Sequence, residues 1–245
     1  MNSISANLNV MIKATDKASK VLIRDFGELE KLQASKKSPT NFMTNSIIKV
    51  GNLIYEELVN ARPNYSILSK KTGLKFNKDK KNIWILDPIN GKINFLHGIP
   101  HFAISIALQS NNEIISGIIF DPIKNEMFYA EKNNGAFFNN QRIKVSKKND
   151  IEDCLFAIGE KLDIELSIKY RKSGSSALDM AYFASGRYDG YFQQNLKLWN
   201  IAAGIILVQE AGGIINDLDL KNYNSLNILS SNSFINEEFK KKINF

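Results

Sequence analysis

The sequence predicts an α+β fold in which helical layers alternate with sheets. Three observations carry this reading. The chain opens with two long segments of helical periodicity. It continues in short β-branched runs separated by Asn, Asp, Gly and Pro turns. Its second half returns to apolar helices set between strands. Helices followed by strands, twice over, specify packed layers, because each element must bury one apolar face.

Leu8, Met11, Ile12, Thr15, Ala18, Leu22, Phe26 and Leu29 recur at helical spacing, so residues 5–33 form one amphipathic helix. Ser35 to Asn41, with Pro39, reads as a polar loop. Ile47, Val50, Ile54 and Leu58 lie on one face of a second helix that Arg62-Pro63 ends. Tyr65 to Leu68 is a short strand and Ser69 to Lys81 a basic loop. Ile83 to Leu86 is a buried strand, and Asp87-Pro88 stops it, since proline cannot donate to a ladder. Asn90-Gly91 turns the chain into a helix.

Phe102 to Gln109 and Glu113 to Phe120 form a hairpin over Ser110-Asn111-Asn112. Asp121-Pro122 turns, Glu126 to Glu131 is a strand, and Asn133-Asn134-Gly135 turns again. The second half holds a strand at Leu155 to Ile158 and a helix from Ser175 to Ser185, ended by Gly186. A strand at Tyr188 to Phe192 precedes a helix from Leu198 to Glu210, which Gly212-Gly213 stops. Strands near Ile214 and Ile228 and a helix from Asn232 complete the chain. These elements divide into halves, 1–145 and 146–245, expected to form one compact unit.

With 245 residues, 44% apolar and 23% charged, the chain can bury a sizeable core. Its single cysteine, Cys154, excludes an internal disulfide and suits the cytoplasm, the predicted location. No apolar run approaches the ~20 residues of a membrane span, so no membrane partner is expected. Met1 to Ser5 lacks a secretory signal pattern. The net charge of +7 fits an acidic partner, but 27 of the 32 basic residues are Lys, scattered in pairs without interleaved aromatics. A compositional bias is the preferred reading.

The chemistry centres on Trp84-Ile85-Leu86-Asp87-Pro88-Ile89-Asn90-Gly91-Lys92-Ile93-Asn94-Phe95. A carboxylate past a strand end, followed by a turn into a helix, suits a metal or a phosphate. The stretch resembles the inositol monophosphatase signature W-I-x-D-P-x-D-G-T-x-N-F. Trp199-Asn200-Ile201-Ala202-Ala203-Gly204 resembles the family's second signature, W-D-x-A-A-G. The resemblance covers about Asn41 to Lys241, most closely over Glu131 to Val145 and Lys172 to Asp217. It implies a five-layer α-β-α-β-α sandwich, often dimeric, so a homodimer is expected. The family carries a longer insertion between positions matching Ile158 and Tyr170.

Family members hydrolyse phosphomonoesters of inositol or related sugars with Mg²⁺, held by clustered carboxylates. The metal positions fall on Asp87, Ile89 (through its carbonyl), Asn90 and Asn200. Asp87 is the one acidic ligand retained there. The family's water-orienting threonine falls on Lys92, and the metal-ligating first glutamate of its Gly-Glu-Glu motif falls on Lys70. Both aspartates of its D-x-V-T-x-x-D pattern are absent from Asn41 to Ile47. Gln193 matches a glutamate that contacts a substrate hydroxyl. Asp87, Lys92 and Lys70 are therefore the candidate catalytic positions. Gly91, Lys92, Ile93, Gly174, Ser175 and Gln193 are the candidate anion-binding residues.

Blander readings stand beside these. Asp87 caps a turn, Asn90 is a turn residue, Lys70 and Lys92 are solvated charges, and Ser175 is a helix N-cap. His97 and His101 read as structural and Cys154 as a buried apolar residue. An ammonium ~4 Å from a dication at an effective dielectric near 20 is repelled by roughly 8 kcal/mol. Millimolar Mg²⁺ binding is worth only about 4 kcal/mol. The favoured reading is therefore a relative that has lost Mg²⁺-dependent hydrolysis, holds no Mg²⁺, and works by binding a protein, RNA or an anionic ligand such as phosphate or a phosphorylated small molecule. The alternative is a working phosphatase with a weakened site. Some bacterial relatives serve transcription of ribosomal RNA, so the resemblance also implies a protein or RNA partner.

Overall fold

The computed structural model describes residues 4–33, 39–159 and 168–245. Two helices, α1 (Ala6–Gln33) and α2 (Pro39–Ala61), precede strands β1 (Tyr65–Ser69), β2 (Gly73–Lys75) and β3 (Asp79–Asn90). A single helical turn, α3 (Lys92–Leu96), leads into β4 (Ala103–Ser110), β5 (Glu113–Asp121), β6 (Glu126–Glu131), β7 (Gly135–Phe138) and β8 (Gln141–Ile143). The second half holds β9 (Leu155–Ile158), β10 (Lys169–Arg171), α4 (Ser176–Ala184), β11 (Gly190–Leu196) and α5 (Leu198–Glu210). It closes with β12 (Ile214–Ile215), β13 (Leu226–Ser231) and α6 (Asn236–Ile243).

The strands form an eight-stranded sheet, ordered β2-β1-β3-β4-β5-β6-β7-β8, and a five-stranded sheet, ordered β10-β9-β11-β13-β12. Helices α1 and α2 cover one face of the large sheet, α4 and α5 fill the space between the sheets, and α6 covers the outer face of the small sheet. This is the five-layer α-β-α-β-α sandwich.

Side-chain alternation along β3 assigns its residues to these layers. Trp84, Leu86 and Ile89 join the core beneath α1 and α2, while Ile83 and Ile85 join the core around α5. By the same period Asp87 points to the α5 side and Pro88 to the α2 side. Helix α5 packs so closely that a Cβ on Gly117 of β5 would come within 2.8 Å of the Ala203 Cα.

The structure corrects several expectations. β3 runs through Asp87-Pro88 to Asn90, because its register against β4 shifts between Asp87 and Asn90 and a bulge tolerates the missing N–H of Pro88. The helix after Gly91 is five residues long. The loop from Ser69 to Lys81 contains β2, paired with β1 through Ile67, Leu68 and Ser69. Of the polar loop expected at 35–41, residues 39–41 begin α2 and 35–38 lie outside the described residues. Strands β7, β8 and β10 were not expected; they are edge or near-edge strands of three or four residues. The strand expected from Tyr188 starts at Gly190, because Asp189 is held by Ser146 Oγ, Lys148 Nζ and the Leu155 N–H. The last helix starts at Asn236, because the Asn232 side chain first accepts from the N–H groups of Phe234 and Ile235 in a turn. Most of the shortened 158–170 segment lies outside the described residues.

Candidate functional site

β1 and β3 run parallel, so Lys70, just past β1, and Asp87 to Lys92, at the end of β3, meet at one edge of the large sheet. The N-termini of α4 and α5 arrive from the middle layer. Together they line a cavity of about 470 Å³. Every candidate site residue read from the sequence borders it: Lys70, Asp87, Ile89, Asn90, Gly91, Lys92, Ile93, Gly174, Ser175, Gln193 and Asn200.

Gly91 makes the turn possible. Its φ of 90° lies in the left-handed region, and a Cβ there would come within 2.9 Å of the His101 carbonyl oxygen. The one-turn α3 gives almost no macrodipole, which corrects the expectation of a helix-end contribution at Gly91 to Ile93. The Ile93 side chain is 73% exposed.

Asp87 is 1% exposed and is held by amides. Its Oδ2 accepts from Asn90 Nδ2 at 3.1 Å and from Asn200 Nδ2 at 3.0 Å. The amide oxygens face elsewhere. Asn90 Oδ1 accepts from Ser175 Oγ at 2.9 Å and from the Ala177 N–H at 3.0 Å, tying β3 to the start of α4. Asn200 Oδ1 accepts from the Lys197 N–H at 3.3 Å at the N-terminus of α5. Ser175 is the N-cap of α4, its Oγ accepting from the Leu178 N–H.

Asp87 Oδ1 has no hydrogen-bond partner within the protein, and Lys92 Nζ stands 3.9 Å from it. Burial pushes the Lys92 ammonium pKa down. Asp87 opposes that shift, and Lys70, close enough to interact through its side chain, adds to it. Two ammonium groups thus converge on one side of the cavity.

This donor set does not fit Mg²⁺, which takes about six oxygen ligands near 2.1 Å. Among the described residues, no group of three His, Cys, Asp or Glu side chains is placed to hold a metal. Turning either amide oxygen toward a metal at Asp87 would break the bonds that cap α4 or α5. It would also turn the amide N–H₂ onto the Ala177 or Lys197 N–H, donor against donor.

Sequence reading did not single out Asp179, which also lines the cavity. It sits four residues after Ser175 in a helix that is otherwise almost wholly apolar, and that mismatch was the available signal. Asp179 is 1% exposed and its Oδ1 has no partner. Burial pushes its carboxyl up to about 7, opposed by a hydrogen bond from Ser173. The folded state therefore holds a proton that the unfolded chain releases near pH 4, so stability falls as pH rises from about 4 to 7. Asp179→Asn is expected to gain about 3 kcal/mol over the parent between pH 5 and pH 8 and nothing further above that. Thermal melts across that range check it; an unchanged gap would show that ionisation of Asp179 carries no cost.

His101 lies outside the cavity. Its imidazole packs edge-on against Tyr182, and burial lowers its pKa, consistent with the structural reading. Cys154 is fully buried, and its thiol is pushed up to about 11.

The model of the "Inositol monophosphatase family" matches residues 5–244. The chain belongs to the inositol monophosphatase family. An inositol-1-monophosphatase of Mesorhizobium japonicum is 39% identical over 230 residues, covering 88% of this chain and 86% of the relative. A Nus factor SuhB of Haemophilus influenzae is 34% identical over 253 residues, covering 96% and 95%. The crystal structure of the extragenic suppressor protein suhB from Bartonella henselae superposes with a TM-score of 0.87 at 37% identity, covering 98% of this chain and all of that one. An inositol monophosphatase family sandwich is thus preserved. No helix among the described residues is long and apolar enough to cross a membrane.

Proposed function

We propose that this family member binds a phosphate group at the Lys70–Lys92 edge of the cavity and does not perform Mg²⁺-dependent hydrolysis. One observation carries the reading: the amides of Asn90 and Asn200 occupy Asp87 Oδ2 while the Lys92 ammonium stands beside Oδ1. Hydrolysis needs a site that activates water, and Asp87 already accepts from two amides with an ammonium group beside its other oxygen. A dianion, in contrast, meets two ammonium groups without any ion between. Gly174, Ser175 and Gln193 border the same space and supply polar contacts for the rest of a phosphorylated small molecule.

The test is a phosphate titration with chelator present, followed by calorimetry. The parent is expected to bind with a dissociation constant on the order of millimolar, weakening with salt because screening at ~0.15 M acts over about 8 Å. Lys70→Glu/Lys92→Thr is expected to lose at least tenfold. Equal affinity in both proteins, or none in the parent, rejects the anion site. Mg²⁺-dependent turnover of inositol monophosphate that disappears in Asp87→Ala would instead favour the working phosphatase. The halves 1–145 and 146–245 act as one unit in this reading, in a cytoplasmic homodimer. The relatives named Nus factors support a further role as a transcription partner.

A further inference from the structure

A second cavity, of about 540 Å³, opens on the other face of β3. Residues Met43, Ile47, Gly51 and Tyr55 follow one another every four positions along α2, so they form one stripe facing it. Leu86 and Pro88 of β3 make the floor. Helix and strand approach closely because Gly51 lacks a side chain; a Cβ there would stand 3.2 Å from Pro88 Cγ. Ile48, at the mouth, is 40% exposed. An apolar stripe of this kind would normally be covered completely by the protein itself; here Met43, Ile47 and Tyr55 pack in part against the core beneath α1 and α2 and also line the cavity.

The cavity is strongly asymmetric in charge. Lys70, Lys71, Lys75 and Lys92 gather at its β1–β2 end. Among the described residues, no ion pair neutralises Lys70, Lys71 or Lys75. Lys70 and Lys92 also border the cavity that holds Asp87, so the two spaces meet at these ammonium groups. An apolar trough ending at paired cations complements a molecule with a hydrocarbon body and a dianionic head.

We infer that the second cavity holds the hydrocarbon portion of a free amphiphilic phosphomonoester whose phosphate rests on Lys70 and Lys92. The inference rests on the anion site proposed above and adds the ligand's second half. Two close ammonium groups favour a dianionic phosphomonoester over a carboxylate with a single charge. A trough recessed between α2 and β3 suits a single chain rather than a flat bilayer.

The test compares methyl, butyl and octyl phosphate, octyl glucoside, and phosphatidic acid vesicles, all with chelator and below micelle-forming concentrations for the octyl compounds. Affinity is expected to rise about fourfold for each methylene between butyl and octyl phosphate, from the usual transfer of a CH₂ out of water. Ile48→Glu, at an exposed position, is expected to weaken octyl phosphate at least tenfold with an unchanged melting temperature. Ile47→Asn, inside the trough, should also weaken octyl phosphate, with a lower melting temperature because Ile47 packs in part against the core. If methyl phosphate binds and chain length has no effect, this inference fails while the anion site stands. If octyl glucoside binds as tightly as octyl phosphate and methyl phosphate does not bind, the anion site fails and this inference with it. Retention by phosphatidic acid vesicles without binding of octyl phosphate would also overturn it.

Discussion

A quadruple variant, Lys70→Glu/Asn90→Asp/Lys92→Thr/Asn200→Asp, is expected to bind Mg²⁺, and the parent is expected to give no Mg²⁺ shift. Asp87 would then face two carboxylates in place of two amides, both lysines would be gone, and a further acid would stand on the β1 side. The carboxylates introduced at positions 90 and 200 would still accept from Ser175, Ala177 and Lys197, so the caps of α4 and α5 survive the exchange. At 100 times its dissociation constant, Mg²⁺ would stabilise the variant by about 2.7 kcal/mol. For a chain of this length, that is a rise of roughly 5–10 °C in melting temperature. Without Mg²⁺ the variant should melt below the parent, because clustered carboxylates repel one another. Melting both proteins with and without millimolar Mg²⁺ checks the expectation. An equal Mg²⁺ shift in the parent would show that the native cluster holds the ion after all.

Asn90→Ala is expected to be the most damaging single change at the site, costing about 3 kcal/mol. Asn90 is 3% exposed and joins three groups at once: Asp87 on β3, the Ser175 hydroxyl before α4, and the Ala177 N–H within its first turn. Truncation leaves a buried hydroxyl and a backbone N–H unmatched and removes one of the two amides that hold Asp87. Asn90→Asp keeps the acceptor side and should cost less, despite placing a second carboxylate beside Asp87. Chemical denaturation of the three proteins measures both differences. A loss below about 1 kcal/mol in the alanine variant would mean that water replaces the amide without penalty.

The elements with strong periodicity were legible before the structure. The spacing of Leu8 to Leu29 and of Ile47 to Leu58 specified α1 and α2, and the apolar run Leu198 to Glu210 specified α5 to the residue. What escaped was short or depended on a partner strand. β7, β8 and β10 have three or four residues and little pattern of their own. The continuation of β3 through Pro88 depended on the shift in register against β4, which no local rule supplies. Asp179 escaped although its place in an otherwise apolar helix marked it, because only the packing of α4 shows that it borders the cavity.

By itself, the sequence determined which chemical groups are available. It supplied the family motifs, the layered fold they imply, and the replacement of acids by Asn90, Asn200 and Lys70 and of a threonine by Lys92. It left open what those replacements do, since an amide can turn its oxygen or its N–H₂ toward a neighbour. Only the tertiary structure decided that. Asn90 and Asn200 lie far apart in the chain, and the packing of α4 and α5 against β3 brings both amides to Asp87 Oδ2. The helix N-termini offer N–H groups that need acceptors, so they take the amide oxygens and leave the amide N–H₂ groups to the carboxylate. The same packing sends Asp87 and Pro88 to opposite faces of one strand, which separates the polar cavity from the apolar trough and leaves Lys70 and Lys92 between them.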